Sequence, residues 1–405
     1  MTKLFHYIFT FLLVGTMLLT TSCHKGGNDA PEATPQTLIV YLAGTSLSDF
    51  FSKNVQDIES ALQKGIQGKS RVVVVWQNSL STKSEAMELT YNKNSKSIER
   101  KTIASYDLPQ TMDSETLGYI FKDVMRKAPA EAYGLIMGSH SWAWIPYADY
   151  PEVKKNKLSQ AEARLRIKEE ELPRHMITRF IGDTSSGANR FDIETLADAL
   201  SSTGKQFEYI LFDACFMANV EAVYDLRYNA KYIIGSVCEI MGSGFPYADT
   251  LPFLLQNGGT SYDLKMATQS FHNHYKKTLK YSGTISLIKC SQLDALASAM
   301  KDVNQHLKDK YSLSSIQTYE GGINHLFFDL GDYVDKACDD DNAKSRLHSQ
   351  LEETVSTKYT LDKFWSTYVS SNLYYITSFS GLSTSAPSIL CRDSYEQTAW
   401  YKATH

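Results

Sequence analysis

The sequence predicts an α/β fold, with a mostly parallel central sheet held between two layers of helices. Three observations carry this. Five short apolar runs recur between residues 37 and 235, each the length of one buried strand. Segments with helical spacing stand between several of them. Four consecutive valines, Val72 to Val75, suit the pleat because a β-branched side chain is stiff at χ1.

The elements follow in order. Residues 37–43 form an apolar run closed by Gly44, and 48–64 place Phe51, Val55, Ile58 and Leu62 three or four apart, as one helix face requires. Residues 71–76 are the second strand. Residues 85–91 and 97–103 alternate around a polar Asn/Lys turn and predict a hairpin. Asp113 or Ser114 caps a helix to Lys127, which Pro129 stops. Residues 133–137 are the third core strand, 192–200 a helix, 209–212 the fourth strand, 218–226 a helix and 232–235 the fifth strand. Beyond them the pattern predicts helices at 262–280, 292–308 and 342–358, and strands at 284–288 and 374–378. We divide the chain into a signal (1–22), a tether (23–36) and one folded domain (37–405), with a charged insertion at 151–190 and helical and strand additions at 260–405.

Composition narrows the function classes. Apolar residues make up 43% and charged residues 21%, as in an ordinary globular protein, which excludes a disordered or multi-span membrane chain. A formal net charge of −4 gives no basic field for nucleic acid. Lys3 precedes an apolar run ending in Thr20-Thr21-Ser22-Cys23, the layout of a secretory signal. This ending resembles a bacterial lipobox, which implies cleavage before Cys23 and acylation of its thiol, with membrane attachment through that lipid. The Pro/Gly-rich stretch after Cys23 is a tether. Outer membrane or cell surface is the expected location, and a monomer the expected state.

In a sheet of this kind ligands bind beyond the carboxyl ends of the strands. Beyond the third strand stand Ser139-His140-Ser141-Trp142-Ala143-Trp144; beyond the fourth, Asp213-Ala214-Cys215-Phe216-Met217; beyond the fifth, Cys238-Glu239 within 236–247. A thiolate is a nucleophile, and a nearby imidazole can take its proton and pass it to a leaving amine. Cys215 also precedes a predicted helix, whose first amides would favour a negative charge. By residue type alone the pair stays open, since a cysteine at a strand end is commonly a small core residue.

Asp213-Ala-Cys-Phe-Met, then Tyr232-Ile-Ile-Gly-Ser and Gly244-Phe-Pro-Tyr, with Gly134-Leu-Ile-Met-Gly-Ser-His140 ahead of them, resemble the clostripain family of cysteine endopeptidases. So do Thr178-Arg-Phe-Ile-Gly-Asp183, Phe379-Ser-Gly-Leu-Ser383 and Ala399-Trp-Tyr-Lys402. The resemblance runs from about residue 37 to the C-terminus and implies a caspase-like α/β/α sandwich. It implies that Cys215 is the nucleophile, His140 the acid/base, and Asp213 the group that recognises a basic side chain at P1. Ser141, Trp144 and Glu239 are placed with the substrate-binding residues. The family's Gly-x-Gly-Trp after the histidine is here Ser141-Trp142-Ala143-Trp144, so both glycines are replaced. That departure keeps a second reading in view, a weak or inactive lipoprotein of the same fold that binds peptide or protein.

Residues 152–179 carry eight basic and five acidic side chains, and 159–172 could form a surface helix capped by Ser159. An enzyme that cuts after basic residues would find a substrate at Lys154, Lys155 or Lys157, and self-processing there is expected. No cofactor is expected, calcium entering only through the family resemblance. His272-Asn273-His274 is a poor metal pair, because residues two apart on a helix point apart. Asp339-Asp340-Asp341 lacks the spacing of a calcium loop and reads as a turn. Cys238, Cys290, Cys338 and Cys391 read as buried thiols.

Overall fold

Successive side chains of the central strands enter two different apolar cores, which is why those strands read as continuous hydrophobic runs. In β1 (Thr34–Leu42), Ile39 and Tyr41 enter one core, while Leu38, Val40 and Leu42 enter the other. In β2 (Arg71–Trp76), Val73 and Val75 part from Val72, Val74 and Trp76 in the same way. The structure is a computed structural model that describes residues 31–77, 83–109, 111–149, 191–256, 262–321, 325–367 and 372–405. Ala33–His405 is the unit that contains the sheet and its helices. The expected signal, Cys23 and most of the tether lie outside the described residues, as does the insertion with Lys154, Lys155, Lys157 and its expected helix.

The hairpin is β3 (Ser84–Asn92) and β4 (Ser97–Tyr106); β5 (Ala130–Gly138), β6 (Phe207–Asp213), β7 (Ala230–Gly235) and β8 (Ile285–Lys289) follow. One sheet of nine strands runs in the order β10-β8-β7-β6-β5-β1-β2-β3-β4, where β10 is Val355–Tyr359. The five strands β7-β6-β5-β1-β2 are parallel, and antiparallel strands close both edges. On one face lie α1 (Ser48–Gln63), α5 (Tyr247–Leu254) and α6 (Leu264–Thr278). On the other lie α2 (Ser114–Lys127), α3 (Ile193–Ser201), α4 (Val220–Asp225) and α7 (Leu293–Asn304). They share that face with α8 (Leu330–Ala337), α9 (Asp341–Thr354) and α11 (Ala399–Thr404); α10 (Arg392–Tyr395) is one short turn. The expected three-layer α/β/α sandwich is the observed architecture. No helix among the described residues is long and apolar enough to cross a membrane.

Several boundaries differ from expectation, each for a tertiary reason. The helix expected over 342–358 ends at Thr354, and Val355–Tyr359 pairs antiparallel with β8 at the sheet edge. Ladder bonds outweigh helix continuation in a stretch where Val355, Thr357 and Tyr359 suit a strand. With β8 and β10 in the central sheet, the C-terminal part extends the sheet rather than only adding to it. The strand expected at 374–378 is β12 (Asn372–Tyr375), paired with β11 (Lys363–Ser366), and it stops where the Thr377 amide turns to donate to the Gln317 side chain. The pattern missed the two-residue strands β9 (Phe328–Asp329) and β13 (Ser383–Thr384), too short to show a period. Asp340 caps α9 by accepting from the Ala343 amide, so the acidic run is a helix connection, as expected.

Helix α4 carries one buried acid and one half-buried acid. Glu221 is fully buried and accepts from Asn219 Nδ2 (2.5 Å), Thr384 Oγ1 (2.7 Å) and the Ser385 amide (2.9 Å). Burial pushes its carboxyl up to about 7 against those bonds, and burial with the nearby Glu194 pushes Asp225 up to about 7. Both groups bind a proton more tightly folded than unfolded. Their contribution to stability is therefore full below the ordinary carboxylate range and is lost as pH rises toward about 7. Urea unfolding at pH 5, 6.5 and 8 is expected to show stability falling across that interval. The Glu221→Gln/Asp225→Asn double variant is expected to flatten the fall.

Candidate active site

Parallel pairing of β5 and β6 sets Gly138 opposite Asp213. His140 lies two residues beyond Gly138 and Cys215 two residues beyond Asp213, so the two side chains leave adjacent strands at the same level. The Ser139 amide donates to the Asp213 carbonyl (3.4 Å) and carries the pairing one step past the strand ends. The Ala43 amide donates to the Gly138 carbonyl (2.8 Å) and brings the loop after β1 beside the histidine. There Ser46 Oγ lies 3.0 Å from His140 Nε2. Sequence reasoning missed Ser46; the signal available was its place just after the strand that pairs with β5.

The cysteine turn is held from the β7 side. The Phe216 amide donates to the Cys238 carbonyl (3.1 Å) and the Ala218 amide to the Ser236 carbonyl (2.9 Å). The helix expected at 218–226 is α4, which starts at Val220 with Asn219 accepting from the Ala222 amide as its cap, so its first amides lie beyond the cysteine turn. Phe216 has φ +60°, which breaks any helix there and swings its ring onto Trp142 (5.6 Å between centroids) and Phe327 (4.6 Å). Each such stack adds about 0.5–1.5 kcal/mol beyond area burial. The Ile240 amide, from the β7 loop, donates to Cys215 Sγ at 3.3 Å, and Sγ faces the Ile240 carbonyl at 3.8 Å.

Both departures after the histidine have a structural account. Ala143 has φ +54°, the conformation glycine adopts without cost, and alanine holds it at about 1–2 kcal/mol. Ser141 is not among the residues with positive φ. Its buried hydroxyl accepts from the Ala143 amide (3.0 Å) and donates to Met217 Sδ (2.8 Å), so it braces the histidine loop against the cysteine turn.

The remaining candidates divide. Asp213 is fully buried at the end of β6, and its Oδ2 accepts from the Tyr247 hydroxyl (2.8 Å). Trp144 is buried; its indole N–H donates to Ser385 Oγ (2.8 Å) and its ring packs edge-on against Tyr395. Glu239 is 3% exposed, and its carboxylate accepts from the Ser366 hydroxyl (2.6 Å), the Thr367 amide (2.8 Å) and the Thr367 hydroxyl (2.8 Å). Cys238, Cys290, Cys338 and Cys391 are buried, as expected. Burial raises the Cys238 thiol well above the usual range and pushes Cys290 up to about 12. Among the described residues no cluster could hold a metal, and His272 bonds toward the Gly283 carbonyl and stacks on Tyr359.

Gly235 lets the cysteine turn close on β7. A Cβ there would stand 2.9 Å from Met217 C and 3.0 Å from Ala218 N, main-chain atoms that cannot swing aside. Gly235→Ala is expected to cost about 1–3 kcal/mol, as overpacking does, measured by thermal unfolding beside wild type.

Comparison with known proteins follows the same lines. The clostripain family model matches residues 168–389, a stretch that includes Cys215 and begins after His140. A secreted C11 cysteine protease of Bacteroides thetaiotaomicron, "iotapain", is 33% identical and superposes with a TM-score of 0.78 over 93% of this chain and 100% of its own. A secreted C11 cysteine protease from the same organism, solved with an irreversible peptide inhibitor, is 27% identical with a TM-score of 0.72 over 91% of this chain and 98% of its own. An inactive zymogen C11 protease of Parabacteroides distasonis, 24% identical, shares the fold with a TM-score of 0.74 over 93% of this chain and 100% of its own. No curated protein sequence matches the chain.

Proposed function

The chain belongs to the clostripain family of cysteine endopeptidases, and we propose that within it Cys215 is the nucleophile and His140 its acid/base partner. The observation that carries this is the shared level of the two side chains beyond the paired positions Gly138 and Asp213. Ser46 Oγ, 3.0 Å from His140 Nε2, helps hold the imidazole ring in place. Cys215 Sγ gives its proton to His140 and attacks the scissile carbonyl. Backbone amides beside Cys215 and His140 receive the oxyanion. His140 returns the proton to the leaving amine, and water then cleaves the thioester. The inward-facing Ser141 hydroxyl and the retained left-handed turn at Ala143 favour the active enzyme over a binding-only relative. Cys215→Ala is expected to abolish peptide hydrolysis and Cys238→Ala to leave most of it, since the raised Cys238 thiol stays protonated. Equal loss in both variants would remove the assignment.

For substrate, the reading is Arg or Lys at P1, paired with Asp213, whose carboxylate the Tyr247 hydroxyl orients. A peptide library is expected to show that preference in wild type and its loss, about 10-fold or more in kcat/KM, in Asp213→Asn. An unchanged preference with uniformly lower activity would make Asp213 structural.

Maturation is read as self-cleavage after Lys154, Lys155 or Lys157, which leaves His140 on one chain and Cys215 on the other, joined through β5 and β6. The burial of both reacting groups in the intact chain supports a maturation step. A denaturing gel with N-terminal sequencing is expected to give two fragments from wild type and one band from Cys215→Ala. One uncleaved, active wild-type chain would exclude the step.

Export follows the relatives described as secreted, and anchoring follows the Cys23 lipobox. Labelled palmitate is expected on wild type and absent from Cys23→Ala, which leaves the membrane fraction.

A further inference from the structure

The loop after β7 reaches the sulfur of Cys215. Ile240 donates its amide to Sγ at 3.3 Å. The residue before it, Glu239, ties that loop to the end of β11 through three accepted hydrogen bonds from Ser366 and Thr367, each 2.6–2.8 Å long. A carboxylate held by three donors is rigid, because each hydrogen bond to it is charge-assisted. The peptide plane joining Glu239 to Ile240 is thereby held with its N–H toward the sulfur. When Sγ loses its proton to His140, the contact from Sγ–H to the Ile240 carbonyl disappears and the N–H···S contact becomes charge-assisted.

Resting on the reading of Cys215 as nucleophile, we propose that Glu239 is a positioning residue that aims the Ile240 amide at the Cys215 thiolate, and that it does not contact substrate. The β7 loop and β11 thus contribute to activating a nucleophile that sits on neither. The adjacent buried thiol shows the contrast. Cys238 has a negative neighbour in Glu239 and stays protonated, whereas Cys215 receives an amide that the same carboxylate fixes.

The test measures iodoacetamide alkylation of Cys215 in the mature full-length protein as a function of pH, read by mass spectrometry of its peptide. In Glu239→Gln the midpoint is expected to move up by about one pH unit, with about 10-fold slower alkylation on the acid side, because the lost aim of the N–H···S contact outweighs the removal of the carboxylate charge, which alone would move it down. Ser366→Ala is expected to give a smaller shift in the same direction, and Glu239→Asp a partial return toward wild type. A folded Glu239→Gln with an unchanged midpoint would overturn the proposal. So would a rise in KM for basic peptides with kcat and midpoint unmoved, which marks a substrate contact, or a wild-type Cys215 that resists alkylation at every pH. If Glu239→Gln does not fold, Ser366→Ala decides by the same criterion. Hydrolysis that survives Cys215→Ala would instead sink the nucleophile assignment, a separate measurement.

Discussion

The parallel register of β5 against β6 is the constraint on which the rest of the site depends. It sets Gly138 level with Asp213, and two residues of chain on each side then bring an imidazole and a thiol to one rim of the sheet. A slip of one residue would turn every side chain of either strand into the opposite core. The register is secure because β5 and β6 are buried on both faces, with Leu135, Met137, Ile210 and Phe212 in one core and Ile136, Tyr209 and Leu211 in the other. Stability and the proposed reactivity therefore share one origin: the packing that makes the sheet stable also sets the level of His140 and Cys215.

Beyond the strand ends regular structure stops, and the site is held by particular contacts. Ser46 reaches the histidine from the loop after β1. Ser141 and Trp142 connect the histidine loop to Met217 and Phe216 on the cysteine turn. Gly235 allows that turn to lie against β7. Trp144, Ser385 and Glu221 extend the ties into the C-terminal part of the chain. The strain at Ala143 and Phe216 is sustained by this surrounding network, as left-handed backbone at a site must be.

Buried carboxylates show how differently one residue type can be used here. Asp213 ends a core strand with a tyrosine hydroxyl on its oxygen. Glu221 is surrounded by donors yet is pushed up by burial, so it carries a pH-dependent cost. Glu239 spends its acceptors on two residues of another strand's end. Burial alone does not separate these roles; the partner set does.

The layers, the five core strands, the hairpin and the cap at Asp113 were all legible along the chain, because they follow from hydrophobic period and local turn chemistry. The places of His140 and Cys215 just beyond two strand ends were legible too, since residues at strand ends are visible once the strands are. The edge strand at Val355–Tyr359 was hidden, because a strand whose only partner is distant in sequence carries no local signature strong enough to end a helix. The roles of Ser46, Ser141, Trp144 and Glu239 were hidden for the same reason. Their partners lie between 76 and 241 residues away, and no spacing rule along the chain reports where a side chain points after the chain has turned. Periodicity is a property of neighbours and can be read in order. Hydrogen bonding between loops is a property of the closed fold, and it takes shape only when distant segments meet.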